Sequence, residues 1–203
     1  MKFLLAALNS KFIHTNLAVY SLKSYAGELA LHVEIGEYTI NHNADFILQD
    51  IYERKPDVIG FSCYIWNYEY IKLLAENLAK VLPEVPIWLG GPEVSYDAEK
   101  ELSSFPHLKG IMMGEGEEIF RKLLSHYVEN TPELREIPGL CYREKDEIFC
   151  NPAAEILDMS QIPFPYQDGD DFSHKIVYYE SSRGCPFACS DFLSSLYLSL
   201  IHI

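Results

Sequence analysis

The chain has 203 residues, of which 48% are apolar and 23% are charged, with 11 Gly and 11 Pro. This composition is typical of one well-buried domain with an appendage, and it excludes disorder, collagen and a coiled coil. The chain has 16 Lys and Arg against 30 Asp and Glu, a net charge of −14. Phosphate backbones and anionic lipid surfaces repel a chain with this charge. We therefore expect neither nucleic acid nor a membrane as a partner.

The amino-terminal apolar run, residues 3–8, is too short for the core of a secretion signal, and we interpret it as a strand. No run approaches the roughly 18 to 20 apolar residues of a membrane-spanning helix, so we expect a cytoplasmic protein. The five cysteines are odd in number, which favours free thiols or metal ligands over a disulfide framework. We expect Cys63, Cys141 and Cys150 to be structural.

Strand patterns and helix patterns alternate through the first 130 residues. The apolar runs predict strands at residues 2–8, 33–40, 57–62, 86–89 and 110–113. The 3.6-residue periodicity predicts helices at about residues 15–31, 44–54, 71–82, 96–103 and 120–127. This alternation requires right-handed crossovers, so we predict an α/β fold with a doubly wound five-stranded parallel sheet. The expected strand order is 2-1-3-4-5, as in flavodoxin-like and other Rossmann-like domains.

The pattern changes after about residue 130. Short strands at 140–143 and 147–150 predict a small hairpin, and a proline-rich tract after it predicts an extended linker. We therefore expect an α/β domain at residues 1–130, a hairpin and linker at 131–174, and a third region at 175–203. The third region opens with an apolar strand at 175–180.

Ligands of doubly wound sheets bind beyond the carboxyl ends of the strands, which directs attention to the loops at 9–15, 63–69, 90–95 and 114–117. Glycines in such loops let the backbone approach a bulky ligand, although plain turns are the alternative. The aromatic loop after the third strand suits the flat face of a macrocycle or heterocycle, with core packing as the alternative. The candidate cofactor-binding residues are Ser62, Tyr64, Trp66, Gly90, Gly91, Pro92, Gly114, Glu115 and Gly116.

Other polar residues at these loops have simpler explanations. His14 follows the first strand and is a metal ligand or an ordinary hydrogen-bonding residue. Glu115 and Glu117 stand at the start of a helix, where carboxylates offset the positive end of the dipole. The chain contains neither a G-x-G-x-x-G fingerprint nor a Walker loop, which disfavours nicotinamide cofactors and nucleoside triphosphates.

Cys185 and Cys189 are separated by three residues and follow a predicted strand and a glycine. Thiolates at this spacing can hold an iron–sulfur cluster, although two unrelated thiols are the alternative.

The segment 179–190 closely resembles the opening of radical S-adenosylmethionine (SAM) enzymes, whose C-x-x-x-C-x-x-C motif binds a [4Fe-4S] cluster. The preceding domain, with Gly-Gly-Pro-Glu at 90–93 and Gly-Glu-Gly-Glu at 114–117, resembles the cobalamin-binding domain that precedes the radical barrel in one class of these enzymes. The resemblance implies a corrinoid partner for the α/β domain. It also implies a [4Fe-4S] cluster on Cys185 and Cys189, with SAM, in the intact parent.

Two departures from the family pattern stand out. The Asp-x-His-x-x-Gly signature is absent, which implies a corrinoid without a histidine lower ligand. Phe192 occupies the position of the third cluster cysteine, so a cluster on this chain should be labile.

The tail at 198–203 resembles the translation of a sequencing adapter, and a radical barrel needs on the order of 200 further residues. We therefore expect an inactive amino-terminal fragment that carries no catalytic residue. Its parent would be a methyltransferase or another enzyme that acts through a 5′-deoxyadenosyl radical. The alternative is a non-catalytic module, either a corrinoid carrier or a receiver-like domain. Asn9 and the loop at 62–68 lack the acidic cluster and the phosphoacceptor aspartate that a receiver requires.

Overall fold

The computed structural model describes residues 1–10, 14–167, 170, 172–173 and 175–183. Its strands are β1 (Phe3–Asn9), β2 (Val33–Thr39), β3 (Val58–Ser62), β4 (Ile87–Gly90), β5 (Gly110–Met112), β6 (Leu140–Glu144) and β7 (Glu147–Cys150). Its α-helices are α1 (Leu17–Tyr25), α2 (Ala44–Arg54), α3 (Tyr68–Val81), α4 (Ala98–Ser104) and α5 (Gly116–Glu129).

The strands form one sheet in the order β2-β1-β3-β4-β5-β6-β7, and the first five are parallel. The predicted doubly wound α/β fold and its 2-1-3-4-5 order are therefore confirmed. Strands β1 and β3 are buried along their whole length, which explains why they read as unbroken apolar runs.

Two hydrophobic cores cover the two faces of the sheet. Side chains of a strand alternate between faces, so Leu4 and Leu8 of β1 lie in one core while Phe3 and Leu5 lie in the other. The apolar sides of α2, α3 and α4 pack on the first face, and those of α1 and α5 pack on the second. Both faces of the parallel sheet are thus shielded, and its carboxyl edge stays available for a ligand.

We expected the hairpin to stand apart from the sheet, but it is part of the sheet. Strand β6 pairs antiparallel with β5, and β7 pairs antiparallel with β6, so the sheet has seven strands instead of five. The expectation of free thiols also fails here, since Cys141 and Cys150 lie opposite each other in the β6–β7 register and form a disulfide. Cys63 is a buried free thiol.

Two predicted elements differ in the structure. The helix predicted at 15–31 is α1 followed by a short 3-10 helix, Gly27–His32, because Gly27 turns the chain with a φ of 59°. The strand predicted at 175–180 makes one isolated bridge, between Ile176 and His14. The domain boundaries at 130 and 174 stay predictions. Within the part of the chain that the structure describes, none of the helices has the length and apolar character needed to span a bilayer.

Candidate functional site

A cavity that is partly open to solvent lies at the carboxyl ends of β3, β4 and β5. We call it the main cavity. It brings together eight of the nine predicted cofactor-binding residues: Ser62, Tyr64, Gly90, Gly91, Pro92, Gly114, Glu115 and Gly116. The structure therefore places residues from three separate loops around one space, while their role in binding stays a prediction.

The ninth candidate, Trp66, lines an adjoining space of about 240 Å³, which we call the side cavity. The two cavities share Leu17, Ala18 and Tyr64. The indole of Trp66 stacks on the Tyr64 ring, with centroids 4.5 Å apart and planes 6° from parallel. Trp66 is still 47% exposed, so the stacked pair offers a broad aromatic surface at the rim.

Two rim glycines adopt backbone conformations that disfavour other residues. Gly91 has a φ of 115°, and a Cβ there would lie 2.4 Å from the carbonyl oxygen of Cys63. Gly114 has a φ of 86°, but a Cβ there would meet no atom within 4 Å. Gly91 is therefore required by close packing of two loops, whereas Gly114 keeps space open at the main cavity.

The loop after β3 is held by Asn67, a residue that the sequence reasoning missed. Its buried side chain donates to the carbonyls of Leu8 and Ser62 and accepts a hydrogen bond from the Tyr64 amide. These bonds fix the backbone that presents Tyr64 and Trp66. A polar residue within the aromatic loop, between the strand predicted at 57–62 and the helix predicted at 71–82, is the signal that was available in the sequence.

A buried polar cluster at the ends of β1 and β3 was also not predicted. Asn16 donates to the Asn9 side-chain oxygen at 3.2 Å and to the Ser62 hydroxyl at 3.4 Å. The Glu37 carboxylate accepts hydrogen bonds from the Asn16 backbone and from Asn9. Asn16 is one of the residues that line the side cavity. Its side-chain oxygen Oδ1 is buried and has no hydrogen-bond partner among the described residues.

The carboxylates at the start of α5 do more than face the helix dipole. Glu115 accepts a hydrogen bond at Oε2 from the backbone of Leu157, while its buried Oε1 has no hydrogen-bond donor within the described ranges. Glu117 accepts from the Ser21 hydroxyl at 2.8 Å and from the guanidinium of Arg183. Burial raises the pKa of Glu117, but the hydrogen bonds and charge of Arg183 outweigh it, so the net pKa is lowered.

The chain that follows the β6–β7 hairpin returns to the two cavities. Tyr166 forms a 2.9 Å hydrogen bond with the Thr15 hydroxyl, and the Thr15 amide donates to the carbonyl of Ile176. Lys175 pairs with Glu37 at 2.8 Å. Glu180 and Arg183 then contribute to the wall of the main cavity.

The two metal predictions have different outcomes. His14 is engaged by hydrogen bonds at both ring nitrogens, to Ser10 and to the Thr15 carbonyl, as its simpler interpretation predicts. No group of three or more His, Cys, Asp or Glu suited to a metal ion is found among the residues with described positions. Cys185 and Cys189 lie outside those residues, so their role as ligands stays a prediction.

Comparison with known families decides the class of domain. The profile of the B12 binding domain matches residues 4–124, which is more than half of the chain. The chain belongs to the B12-binding domain family. The matched residues include β1 to β5 and every loop of the main cavity that the α/β domain supplies.

Curated relatives of this B12-binding domain protein include methyltransferases. It is 30% identical over 147 residues to the cobalamin-dependent radical SAM methyltransferase TokK of Streptomyces tokunonensis. The aligned region covers 67% of this chain and 22% of TokK. It is 28% identical over 146 residues to the 2-(S-pantetheinyl)-carbapenam-3-carboxylate methyltransferase of Streptantibioticus cattleyicolor, covering 66% of the chain and 21% of that enzyme. The chain thus spans about a fifth of the length of these relatives.

A solved structure gives the same result for the fold. The cobalamin-dependent S-adenosylmethionine radical enzyme OxsB, with aqua-cobalamin and S-adenosylmethionine bound, superimposes with a TM-score of 0.74 at 19% identity. The match covers 91% of this chain and 27% of OxsB. The B12-binding domain fold is therefore shared with a part of that enzyme, and the predicted family resemblance is confirmed.

Proposed function

We propose that the main and side cavities together bind cobalamin, and that the chain is the amino-terminal part of a cobalamin-dependent radical SAM enzyme. The observation that carries this proposal is the position of the glycine-lined main cavity at the carboxyl ends of β3, β4 and β5. That edge is where doubly wound sheets bind their ligands, and the family match covers the strands that form it.

The residues at the rim fit a corrinoid in two respects. Gly114 leaves open space where any side chain would project, which suits a broad ring system. Asn16 Oδ1, in a residue that lines the side cavity, is a buried acceptor without a hydrogen-bond donor among the described residues. Corrinoids carry several side-chain amides, and such donors would satisfy acceptors whose burial is otherwise costly.

The chain's own residues would bind and orient the cofactor. In this proposal the Tyr64–Trp66 pair packs against an apolar face of the ring system, and the backbone at Gly90, Gly91 and Gly114 permits close approach. Bound cobalamin supplies a cobalt centre that can carry a methyl group. His14, which lines the side cavity, would keep its hydrogen bonds to Ser10 and Thr15 in this proposal and would not hold the cobalt.

We extend the proposal to the parent enzyme on the strength of its relatives. Cys185 and Cys189 would supply two ligands of a [4Fe-4S] cluster that works with SAM, and the position of a third ligand is Phe192 in this chain. The parent would then perform methyl transfer or another radical reaction, with the substrate contacts made by residues beyond this chain. A cytoplasmic location is part of the same proposal.

Titration of the 203-residue chain with aquacobalamin tests the proposal. We expect a saturable change in the visible spectrum at one cofactor per chain, and no such change with the heat-denatured chain. An unchanged spectrum with the folded chain, at cofactor concentrations up to the millimolar range, would overturn the assignment.

A further inference from the structure

Arg183 is enclosed by acidic side chains at the mouth of the main cavity. Its guanidinium donates to both carboxylate oxygens of Glu117, at 2.7 and 3.1 Å, and to Glu180 at 2.8 Å. A third carboxylate, that of Glu115, lies 3.9 Å away. Only 6% of the Arg183 side chain is exposed, and the same is true of Glu117.

The pair that Arg183 forms with Glu117 joins two distant parts of the chain. The partners are 66 residues apart, and Arg183 lies far beyond the B12-binding domain match at 4–124. The Ser21 hydroxyl of α1 donates to the same carboxylate at 2.8 Å and orients it. A bidentate guanidinium–carboxylate contact of this kind is strong and directional.

Arg183 and Glu117 each stabilise the charged form of the other. Burial lowers the pKa of Arg183, but its hydrogen bonds to Glu117 and Glu180 outweigh burial, so the net pKa is raised. The pKa of Glu117 is lowered by the same contact. Removing one partner of a buried ion pair leaves the other charge unpaired, which is strongly unfavourable.

The segment ahead of Arg183, residues 175–180, is held near the cavities by several hydrogen bonds and ion pairs. The Thr15 amide donates to Ile176, Lys175 pairs with Glu37, and Tyr166 donates to the Tyr178 carbonyl. Glu180 and Arg183 form part of the wall of the main cavity. The cavity is therefore completed by residues that do not belong to the matched domain.

We propose that the Glu117–Arg183 ion pair holds residues 180–183 as a wall of the main cavity and so positions the chain immediately ahead of Cys185. Arg183 is a positioning residue in this proposal. The proposal rests on the proposed function only for the identity of the molecule that the cavity holds.

Trypsin offers a direct measure of the ion pair in the chain without cofactor. Trypsin must extract the Arg183 side chain from its carboxylates before it can cleave the following bond, so the cleavage rate reports how often the pair opens. Arg135 is 73% exposed and serves as the internal reference. We expect Glu117→Gln to raise the rate after Arg183, relative to Arg135, at least tenfold.

Glu118→Gln is the matched control, since Glu118 is the next residue of α5 and pairs with Lys122 instead. Its relative rate should equal that of the unmodified chain. If Glu117→Gln fails to fold, Ser21→Ala removes one hydrogen bond to the carboxylate and keeps both charges, and we expect a rise of about threefold. An unchanged relative rate in the folded Glu117 variant, or in the Ser21 variant if the former does not fold, overturns the ion pair as the holding contact.

The aquacobalamin titration separates this inference from the proposed function. We expect Glu117→Gln to raise the cobalamin Kd about tenfold, with Glu118→Gln unchanged. Faster cleavage with an unchanged Kd would overturn the claim that the segment is a wall of the binding site. If the unmodified chain binds no cobalamin, the proposed function fails, and the cleavage ratio still decides whether Glu117 holds Arg183.

Discussion

The side-chain amide of Asn67 donates a 2.9 Å hydrogen bond to the backbone carbonyl of Leu8, which joins the loop after β3 to the end of the neighbouring strand β1. The same amide group donates to the Ser62 carbonyl at 3.0 Å. One buried side chain therefore ties the end of β1 to the loop after β3, whose Tyr64 lines both cavities.

Replacing Asn67 by alanine would leave two carbonyls and the Tyr64 amide without this partner. We expect Asn67→Ala to lower the free energy of unfolding by about 3 kcal/mol, because buried polar groups without hydrogen bonds are costly. Urea denaturation measures the change. Asn77→Ala is the control, since the half-buried Asn77 has its hydrogen bonds within its own helix, to the Leu73 carbonyl and from Lys80, and it should change stability by less than about 0.5 kcal/mol. Equal losses in the two variants would contradict the role assigned to Asn67.

The fold was largely predictable because its decisive signals are local. Buried parallel strands such as β1 and β3 read as continuous apolar runs, and the family's loop motifs lie at their carboxyl ends. The attachment of the hairpin to β5 was not predictable, because short strands alone do not specify their pairing partner. The contact between Glu117 and Arg183 was equally hidden, since no local pattern links residues 66 positions apart.

Alanine at Gly114 is expected to affect both stability and cobalamin binding. Gly114→Ala strains a positive φ and places a methyl group in the open space of the main cavity, so we expect both modest destabilisation, about 1 kcal/mol, and at least tenfold weaker cobalamin binding. Gly27→Ala is the control, since Gly27 also has a positive φ and open space around it but does not line the cavity. It should show the destabilisation alone, by urea denaturation and cobalamin titration. Equal cobalamin affinity in both variants would argue against a cofactor at Gly114.

Trp66 is the most exposed aromatic side chain of the predicted cofactor-binding set. We expect Trp66→Ala to weaken cobalamin binding about five- to tenfold, because a stacked aromatic surface at the side cavity is lost. Ile65→Ala removes a neighbouring apolar side chain that is 79% exposed and lines neither cavity, so its Kd should not change. An unchanged Kd in the Trp66 variant would remove this residue from the binding surface.

Asp50 gives a prediction for the pH dependence of stability. It accepts hydrogen bonds from the Tyr38 hydroxyl at 2.5 Å and from Arg54 at 2.7 Å. Burial raises its pKa, but hydrogen bonds from Arg54 and Tyr38 outweigh burial, so the folded-state pKa lies below the unfolded value. The resulting stabilisation is complete above the unfolded pKa, about 3.9, and is lost as the pH falls through the folded pKa.

We therefore expect Asp50→Asn to be less stable than the unmodified chain at pH 7, by about 1 kcal/mol. This difference in stability should narrow as the pH falls below the unfolded pKa of about 3.9. Urea denaturation at several pH values measures it. Glu53→Gln is the control on the same helix; this exposed side chain is bonded to the neutral Gln49, and the change should alter stability by less than about 0.5 kcal/mol at pH 7. A gap for Asp50→Asn that widens on acidification would reverse the assigned direction of the pKa.

The attachment of the hairpin has a practical consequence for expressing shorter pieces of this chain. Leu140, Cys141 and Tyr142 are almost fully buried against the rest of the sheet, and β5 is only three residues long. A recombinant piece cut at the end of the family match, residue 124, would bare the backbone of β5 and invite other molecules to pair with it. Pieces that extend past Cys150 retain the hairpin that protects this edge.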